Sequence, residues 1–345
     1  MTMETPTALL DQVPGPRLGE AVELFLEDRK AANLAASSLQ TYTSKLTTWQ
    51  TWRAERYGPY LADVSLTELR AFMVYLREEH VPMSDHPCSQ PRIGTHLSPA
   101  TIHSFWRTLR NAWNFWTREG LLSVEQMTVF AAKRLPSPRI PHQIRPIYED
   151  RVLDDLIAAA RSGRHPSDCV TQRAERAARD IAILHLLYDT GMRAAELCGL
   201  RDGDVNLIER EAKITGKGDK QRWVFWTERA MSTLNDYRAL RRGAATGHLF
   251  RGVGRLNNGG PMTPDSIRQL LRRLARRAEC SLPPTAPVHA WRHTFAHRFL
   301  DAGGDGLHLQ QLLGHESMTT TQRYVKENPK RLRKVYRRHL DPDGM

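Results

Sequence analysis

No apolar run in this chain approaches the ~18 residues needed to cross a bilayer, and its N-terminus lacks a charged-then-apolar leader pattern. We therefore expect no membrane partner and a cytoplasmic location. Cysteine is sparse: 4 among 345 residues, at positions 88, 169, 198 and 280, with no C-x-x-C pair. That spacing argues against a zinc module and against a disulfide framework, and predicts reduced, structural thiols. Internal repeats and low-complexity tracts are missing too. Acidic residues are outnumbered by basic ones in one part of the chain only. Residues 1–130 hold 12 Lys+Arg against 14 Asp+Glu, whereas residues 131–345 hold 38 against 24.

What is present describes a globular protein with a real core. Hydrophobic residues make up 40% and charged residues 26%, and the length suits two domains of ~150 residues each. The net charge of +12 is concentrated in the second part. A solvated basic surface is the ordinary reading of such a balance. A polyanionic partner explains the concentration better, because Arg and Lys that neutralise phosphates release counterions. Arginine far outnumbers lysine, and its planar fork suits phosphate, so nucleic acid is favoured over a membrane surface.

Along the chain, residues 1–16 form a Pro-rich tail. Helical periods follow near 18–32, 37–56, 65–79 and 99–118, predicting an all-α domain over 17–130. Ser65 with Glu68 is a capping box, and Ser98 followed by Pro99 is a helix start that runs to Gly120. The last of these helices has an apolar face of Ile102, Trp106, Leu109, Trp113 and Trp116. Its other face shows Arg107, Asn111, Asn114 and Arg118, which could lie in a DNA groove or simply meet water. Residues 131–146, with "LPSPRIPHQIRP", read as an extended linker. A second domain is predicted over 147–327. It is mostly helical but interrupted by "REAKIT" and "QRWVFW" about a "GKGDK" turn, the pattern of a small antiparallel sheet. The helix opening at Thr263 and Pro264 carries Arg268, Arg272, Arg273, Arg276 and Arg277 around one flank, a candidate phosphate contact. Residues 328–345, with "NPKRLRKVYRRHL", form a basic amphipathic tail.

Several isolated polar residues remain. "DTGMRAAEL" puts Arg193 after a Gly turn with Glu196 one helical turn on. Lys217 sits on the hairpin tip, His289 and Arg292 are i, i+3 on one helix, His315 follows a Gly, and Tyr324 ends a polar run. Each alone has a bland reading: a surface charge, a solubilising lysine, a packed phenol. Together they resemble the active site of the tyrosine recombinase (phage integrase) family. The family's ATGLRxSEL, HxLRHTFAT and LGHxSxxTTxxYT stand here as "DTGMRAAEL", "HAWRHTFAH" and "LGHESMTTTQRYV", in family order, and the likeness extends over the whole chain beyond the N-terminal tail. Trp291 replaces the usual Leu, and Val325 the common Thr.

The resemblance implies a fold that is mainly α with a small antiparallel sheet in the catalytic domain, in the family's two-domain architecture. It implies a site-specific recombinase that cleaves and rejoins DNA through a 3′-phosphotyrosine. Tyr324 would be the nucleophile, and the phosphodiester bond energy stays in the covalent intermediate. Arg193, Arg292 and His315 would hold the charge that gathers on the nonbridging oxygens. Lys217 would protonate the leaving 5′-oxygen, His289 would serve as base or relay for a phenol of ordinary pKa near 10, and Glu196 would brace the site. No carboxylate cluster suited to two Mg²⁺ ions accompanies these residues, so no metal and no cofactor is expected.

The expected partner is double-stranded DNA with inverted half-sites, bound by a homotetramer that is a monomer or weak dimer when free. The tail at 328–345 would dock on a neighbouring protomer or, alternatively, on its own. With about 16 residues before the first helix, an arm-site-binding domain is not expected. A simple recombinase of the chromosome-dimer or mobile-element type is preferred, located at the nucleoid, with a second recombinase or accessory protein left open. The competing readings are a type IB topoisomerase, a DNA-binding protein that has lost catalysis, and a metal-dependent nuclease.

Overall fold

The computed structural model describes residues 15–81, 96–131, 133–141, 147–163, 169–216, 220–242, 247–253, 259–283 and 287–326, together with Arg333 and Tyr336; the side chains at 319, 323, 325 and 326 are outside the description. Lys217, positions 142–146 of the expected linker and the remainder of the 328–345 tail fall outside the described residues. The chain divides into two compact units, Met1–Gln143 and Ile144–Met345. It is mainly helical with one small antiparallel sheet, as the sequence predicts.

The first unit holds α1 (Leu18–Ala31), α2 (Ala36–Ala54), α3 (Leu66–Glu78), α4 (Pro99–Arg118) and α5 (Val124–Ala131). Ser65 and Ser98 cap α3 and α4, accepting from the backbone N–H of Glu68 and Thr101. The tryptophans of α4 organise the core. The indole N–H groups of Trp106, Trp113 and Trp116 donate to the carbonyls of Leu135, Gln126 and Ala21 at 3.1, 2.7 and 2.8 Å. Each ring is thereby fixed while its apolar body is buried, and truncating one to Ala costs about 3–5 kcal/mol. Leu135 is itself buried in this core, so the stretch expected as linker begins as part of the first unit. The same unit buries an ion pair, Arg53 to Glu68 at 2.8 Å.

The second unit holds α6 (Asp150–Ser162), α7 (Val170–Thr190), α8 (Ala194–Gly199), β1 (Val205–Asn206), β2 (Glu211–Thr215), β3 (Gln221–Phe225), α9 (Glu228–Leu240), α10 (Pro264–Arg277), α11 (Pro287–Asp301), α12 (Gly306–Leu313) and α13 (Met318–Lys326). Every residue from Ile181 to Leu187 is buried. A helix buried on all sides must be surrounded, and α6, α9 and α11 pack around α7. The sheet runs β1-β2-β3, with Ala212 opposite Val224 and Ile214 opposite Arg222 on the inward face. The same alternation turns Trp223 and Phe225 outward. Among the described residues, no helix is long and apolar enough to cross a membrane.

One expectation is corrected. The polar run before Tyr324 reads from its Thr, Gln and Arg as a flexible segment, and the structure makes it the helix α13. Thr321 and Tyr324 fall at i, i+3 and are both buried. Tyr324 packs with Ala296, Leu300, Leu309 and Leu313, and that apolar contact draws a threonine-rich stretch into helix despite its weak propensity.

Candidate active site

Two glycines in the left-handed conformation shape the floor of the site. Gly191 (φ 57°) ends α7 and Gly314 (φ 62°) ends α12. A Cβ at Gly191 would lie 2.7 Å from Phe295, and one at Gly314 would lie 3.0 Å from Arg222. The turns they make aim backbone carbonyls at arginines. Gly191 O accepts from Arg292 Nη1 at 3.0 Å, Leu313 O accepts from Arg292 Nη2, and Leu312 O accepts from Arg222 Nε at 2.9 Å.

Above this floor Glu196 is gripped from two sides. Arg222 donates to both carboxylate oxygens at 2.7 Å, and Arg193 reaches Oε1 at 2.7 Å while its backbone N–H reaches Oε2 at 2.7 Å. Burial opposes ionisation of Glu196, but the two arginines and the backbone N–H prevail and hold its pKa down to about 2. Arg292 is pushed down to about 9, by burial first and then by the nearby Arg193. Three guanidiniums against one carboxylate leave this cluster with a surplus of two positive charges. That is an anion site in its electrostatics.

His315 follows Gly314, and its Nδ1 lies 2.9 Å from the Thr321 hydroxyl. Burial, then Arg292, Arg193 and Arg222, lower its pKa to about 4. It is therefore neutral at pH 7. The Tyr324 ring lies parallel to the His315 ring, with centroids 6.3 Å apart. Arg193, Arg222, His289, Arg292, His293, His315 and Tyr324 line one cleft of about 1170 Å³.

The structure thus brings together Arg193, Glu196, His289, Arg292, His315 and Tyr324 from the sequence reading. Lys217 lies outside the described residues. The neighbouring hairpin residue Lys220 is exposed and ion-paired with Glu316 at 2.9 Å, a surface pair worth under about 1 kcal/mol. Two site residues were missed. Arg222 was legible as an inward position of an alternating strand. His293 follows Arg292 directly, and its place in the matched "HAWRHTFAH" was the signal that could have found it. Among the described residues, no cluster of three His, Cys, Asp or Glu side chains is arranged to hold a metal.

The candidate DNA contacts divide. On α4, Arg107, Asn114 and Arg118 are exposed, while Asn111 donates to the Tyr42 hydroxyl at 2.9 Å. Lys45 joins that face by bonding Ser104, and its pKa is lowered by burial and by the charge of Arg107. On α10, Arg268, Arg272 and Arg276 are exposed, Arg268 being paired with Asp265 at 2.9 Å. Arg273 turns inward instead to Asp180 at 2.7 Å, and Arg277 reaches the Ala159 carbonyl at 3.4 Å. Of the five arginines read as one flank, Arg273 alone turns in to tie α10 to α7, while Arg277 stays exposed as it reaches α6.

The sequence model of the phage integrase family matches residues 152–331. The tyrosine recombinase XerC of Corynebacterium efficiens is 33% identical over 282 residues, 81% of this chain and 79% of that protein. XerC of Myxococcus xanthus is 29% identical over 325 residues, 92% of this chain and 95% of that protein. Among solved structures, the Tn1549 transposon integrase in complex with a circular intermediate DNA superposes with a TM-score of 0.66 at 18% identity, covering 92% of this chain and 98% of that one. XerH site-specific recombinase bound to a palindromic difH substrate gives 0.65 at 18% identity, over 93% and 84%. At that identity the two structures speak to the fold.

Proposed function

The chain belongs to the phage integrase family, the tyrosine site-specific recombinases, and from that membership we propose how its cleft breaks and rejoins DNA. Its partner is DNA. We assign Tyr324 as the nucleophile, attacking the scissile phosphorus as the 5′-oxygen departs and leaving a 3′-phosphotyrosine. Arg193 and Arg292 hold the nonbridging oxygens. What supports this is a cluster with surplus positive charge beside a phenol packed in the same cleft. A phosphodiester brings one negative charge and its five-coordinate transition state about two, so an already desolvated cationic site favours the latter. Arg193 is about one-third exposed and can turn to substrate, whereas Arg292 is fixed in place by two carbonyls.

Neutral His315 acts as an N–H donor to the same oxygens. A Thr321 hydroxyl donating to Nδ1 would put the ring proton on Nε2 for that purpose. Glu196 and Arg222 keep Arg193 in position. His289, exposed in the cleft, meets the phosphate as well, and Lys217 supplies the proton to the 5′-oxygen. Exposed Arg107, Asn114 and Arg118 on one unit, and Arg268, Arg272 and Arg276 on the other, make phosphate or base contacts.

At the level of assembly we propose a homotetramer on inverted half-sites, acting at the nucleoid, with the 328–345 tail docked on the neighbouring protomer. The tyrosine recombinase relatives favour strand exchange over the relaxation catalysed by a type IB topoisomerase, and we propose a chromosome-dimer or mobile-element resolution role. The observation that carries the reading is Tyr324 within one cleft with Arg193, Arg292 and His315. The experiment is Tyr324→Phe on a nicked suicide substrate. The variant should bind its site and form no covalent adduct. An adduct that persists moves the nucleophile to another tyrosine.

A further inference from the structure

The hydroxyl oxygen of Tyr324 lies 2.6 Å from Nδ1 of His293, and both residues are buried. His289, the residue expected as base, sits one turn earlier on α11 and is exposed. Three imidazoles border the phenol. His315 stacks at 6.3 Å with its Nδ1 at the Thr321 hydroxyl, His297 meets the ring edge at 5.7 Å, and His293 is tilted with centroids 5.4 Å apart. Of these three contacts, the one at His293 is made to the atom that reacts. Charged and titratable groups of the same cleft are His289 and Arg292 on α11, His308 on α12, His315 and Glu316 after it, Arg193 ahead of α8, Lys220 and Arg222 at β3, with His297 at the ring edge and Glu196 bonded to Arg193 and Arg222.

We propose that His293 is the base that takes the Tyr324 proton, and that His289 instead serves the phosphate. The inference rests on Tyr324 being the nucleophile. In cleavage the Oη–P bond forms as the P–O5′ bond breaks. The phenolic proton passes to His293 Nδ1, and the departing 5′-oxygen takes a proton from the general acid assigned to Lys217. In rejoining, the 5′-hydroxyl attacks phosphorus and returns its proton to that acid, while His293 gives its own back to the leaving tyrosinate. The ring must begin as the tautomer with its proton on Nε2, so that Nδ1 can accept. Geometry precedes acidity in choosing a base, and 2.6 Å is within the reach required.

The test is single-turnover first-strand cleavage of a nicked suicide substrate between pH 5.5 and 9.5, with gel shift reporting DNA binding. The informative variant is His293→Asn, whose side-chain oxygen can accept the phenol's hydrogen bond but cannot carry its proton. We expect binding like that of the unaltered protein and cleavage slowed about 10²–10³-fold at pH 7. The deficit should shrink roughly tenfold per pH unit as hydroxide takes over the proton, and the deficit of His289→Asn should not. Cleavage within about threefold at pH 7, or a deficit equal at pH 7 and pH 9, makes His293 a packing residue and overturns the inference. If Tyr324→Phe still forms the adduct, the nucleophile assignment fails. If it is inert while His293→Asn is not slowed, only the present inference fails. A variant that does not fold is bypassed by placing fluorinated tyrosine at 324 in the otherwise unaltered protein. The acidic limb of the rate profile should stay where it is, because it belongs to the imidazole. A limb that follows the acidity of the phenol refutes His293 as the base.

Discussion

Replacing Glu196 by Gln removes one charge and almost no volume, so its effect is electrostatic. In the folded protein the carboxyl titrates at about 2, against 4.5 for an unperturbed glutamate. At 1.36 kcal/mol per pH unit that difference is worth about 3 kcal/mol of folding stability. The side chain is only 4% exposed, so solvent screening does not dissolve this figure, and breaking a buried pair by removing one partner gives a cost of the same order. The sign follows from the direction. A folded pKa below the unfolded one means stability fully present above about pH 5 and lost as the pH falls toward 2. For a unit of this size each kcal/mol moves Tm by roughly 2–4 °C. The Glu196→Gln variant should therefore melt roughly 6–12 °C below the unaltered protein at pH 7, and less than about half of that stability difference should remain at pH 3. Calorimetry of both proteins across that range measures the gap directly, since the other carboxylates titrate in both. A gap under about 2 °C at pH 7, or one unchanged at pH 3, refutes the linkage.

Arg193→Ala and Arg292→Ala should each lose cleavage by about 10²-fold or more, and a 5′-bridging phosphorothiolate, which leaves without protonation, should rescue Lys217→Ala but neither arginine variant. Equal rescue of all three contradicts the division of roles. The Cε1 proton of His315 should titrate near 4 by NMR rather than near 6.5. Because the unfolded chain then binds more protons, the His315 contribution to stability should fall as the pH drops from about 6.5 to 4, and His315→Gln should flatten that stretch. Removing residues 328–345 should leave single half-site binding nearly intact and weaken cooperative loading of the second half-site in gel shifts; undiminished cooperativity and recombination place the tail on its own chain.

Local signals were readable in the sequence. The serines at 65 and 98 and Thr263 marked helix starts that the structure keeps. Arg193 and Glu196 at i, i+3 could be paired by inspection because one helical turn joins them. Pairings at long range were not readable. Arg222 meets Glu196 across 26 positions and Arg273 meets Asp180 across 93, and no periodicity encodes such partners. Arg273 therefore looked like one more member of a basic flank. The helix around Tyr324 was hidden for a related reason. Its threonines argue against helix, and the apolar contacts with α11 and α12 that override them exist only in the folded unit. His293 was overlooked because the His-x-x-Arg spacing drew attention to His289, although the residue after Arg292 is the one that turns beneath the phenol.

Tyr324 is packed among the cations of its own chain, not offered outward to a second copy. Two differently damaged copies then cannot make good each other's loss. A protomer without the phenol and a protomer without Arg292, mixed on one DNA, assemble no complete cleft between them, so defects at these positions do not complement. On the homotetramer proposed above, one inactive copy would silence the half-site it occupies, and in a mixed population the fraction of fully competent assemblies would fall as a power of the intact fraction. Excess inactive protein would then act as a dominant poison of the intact enzyme.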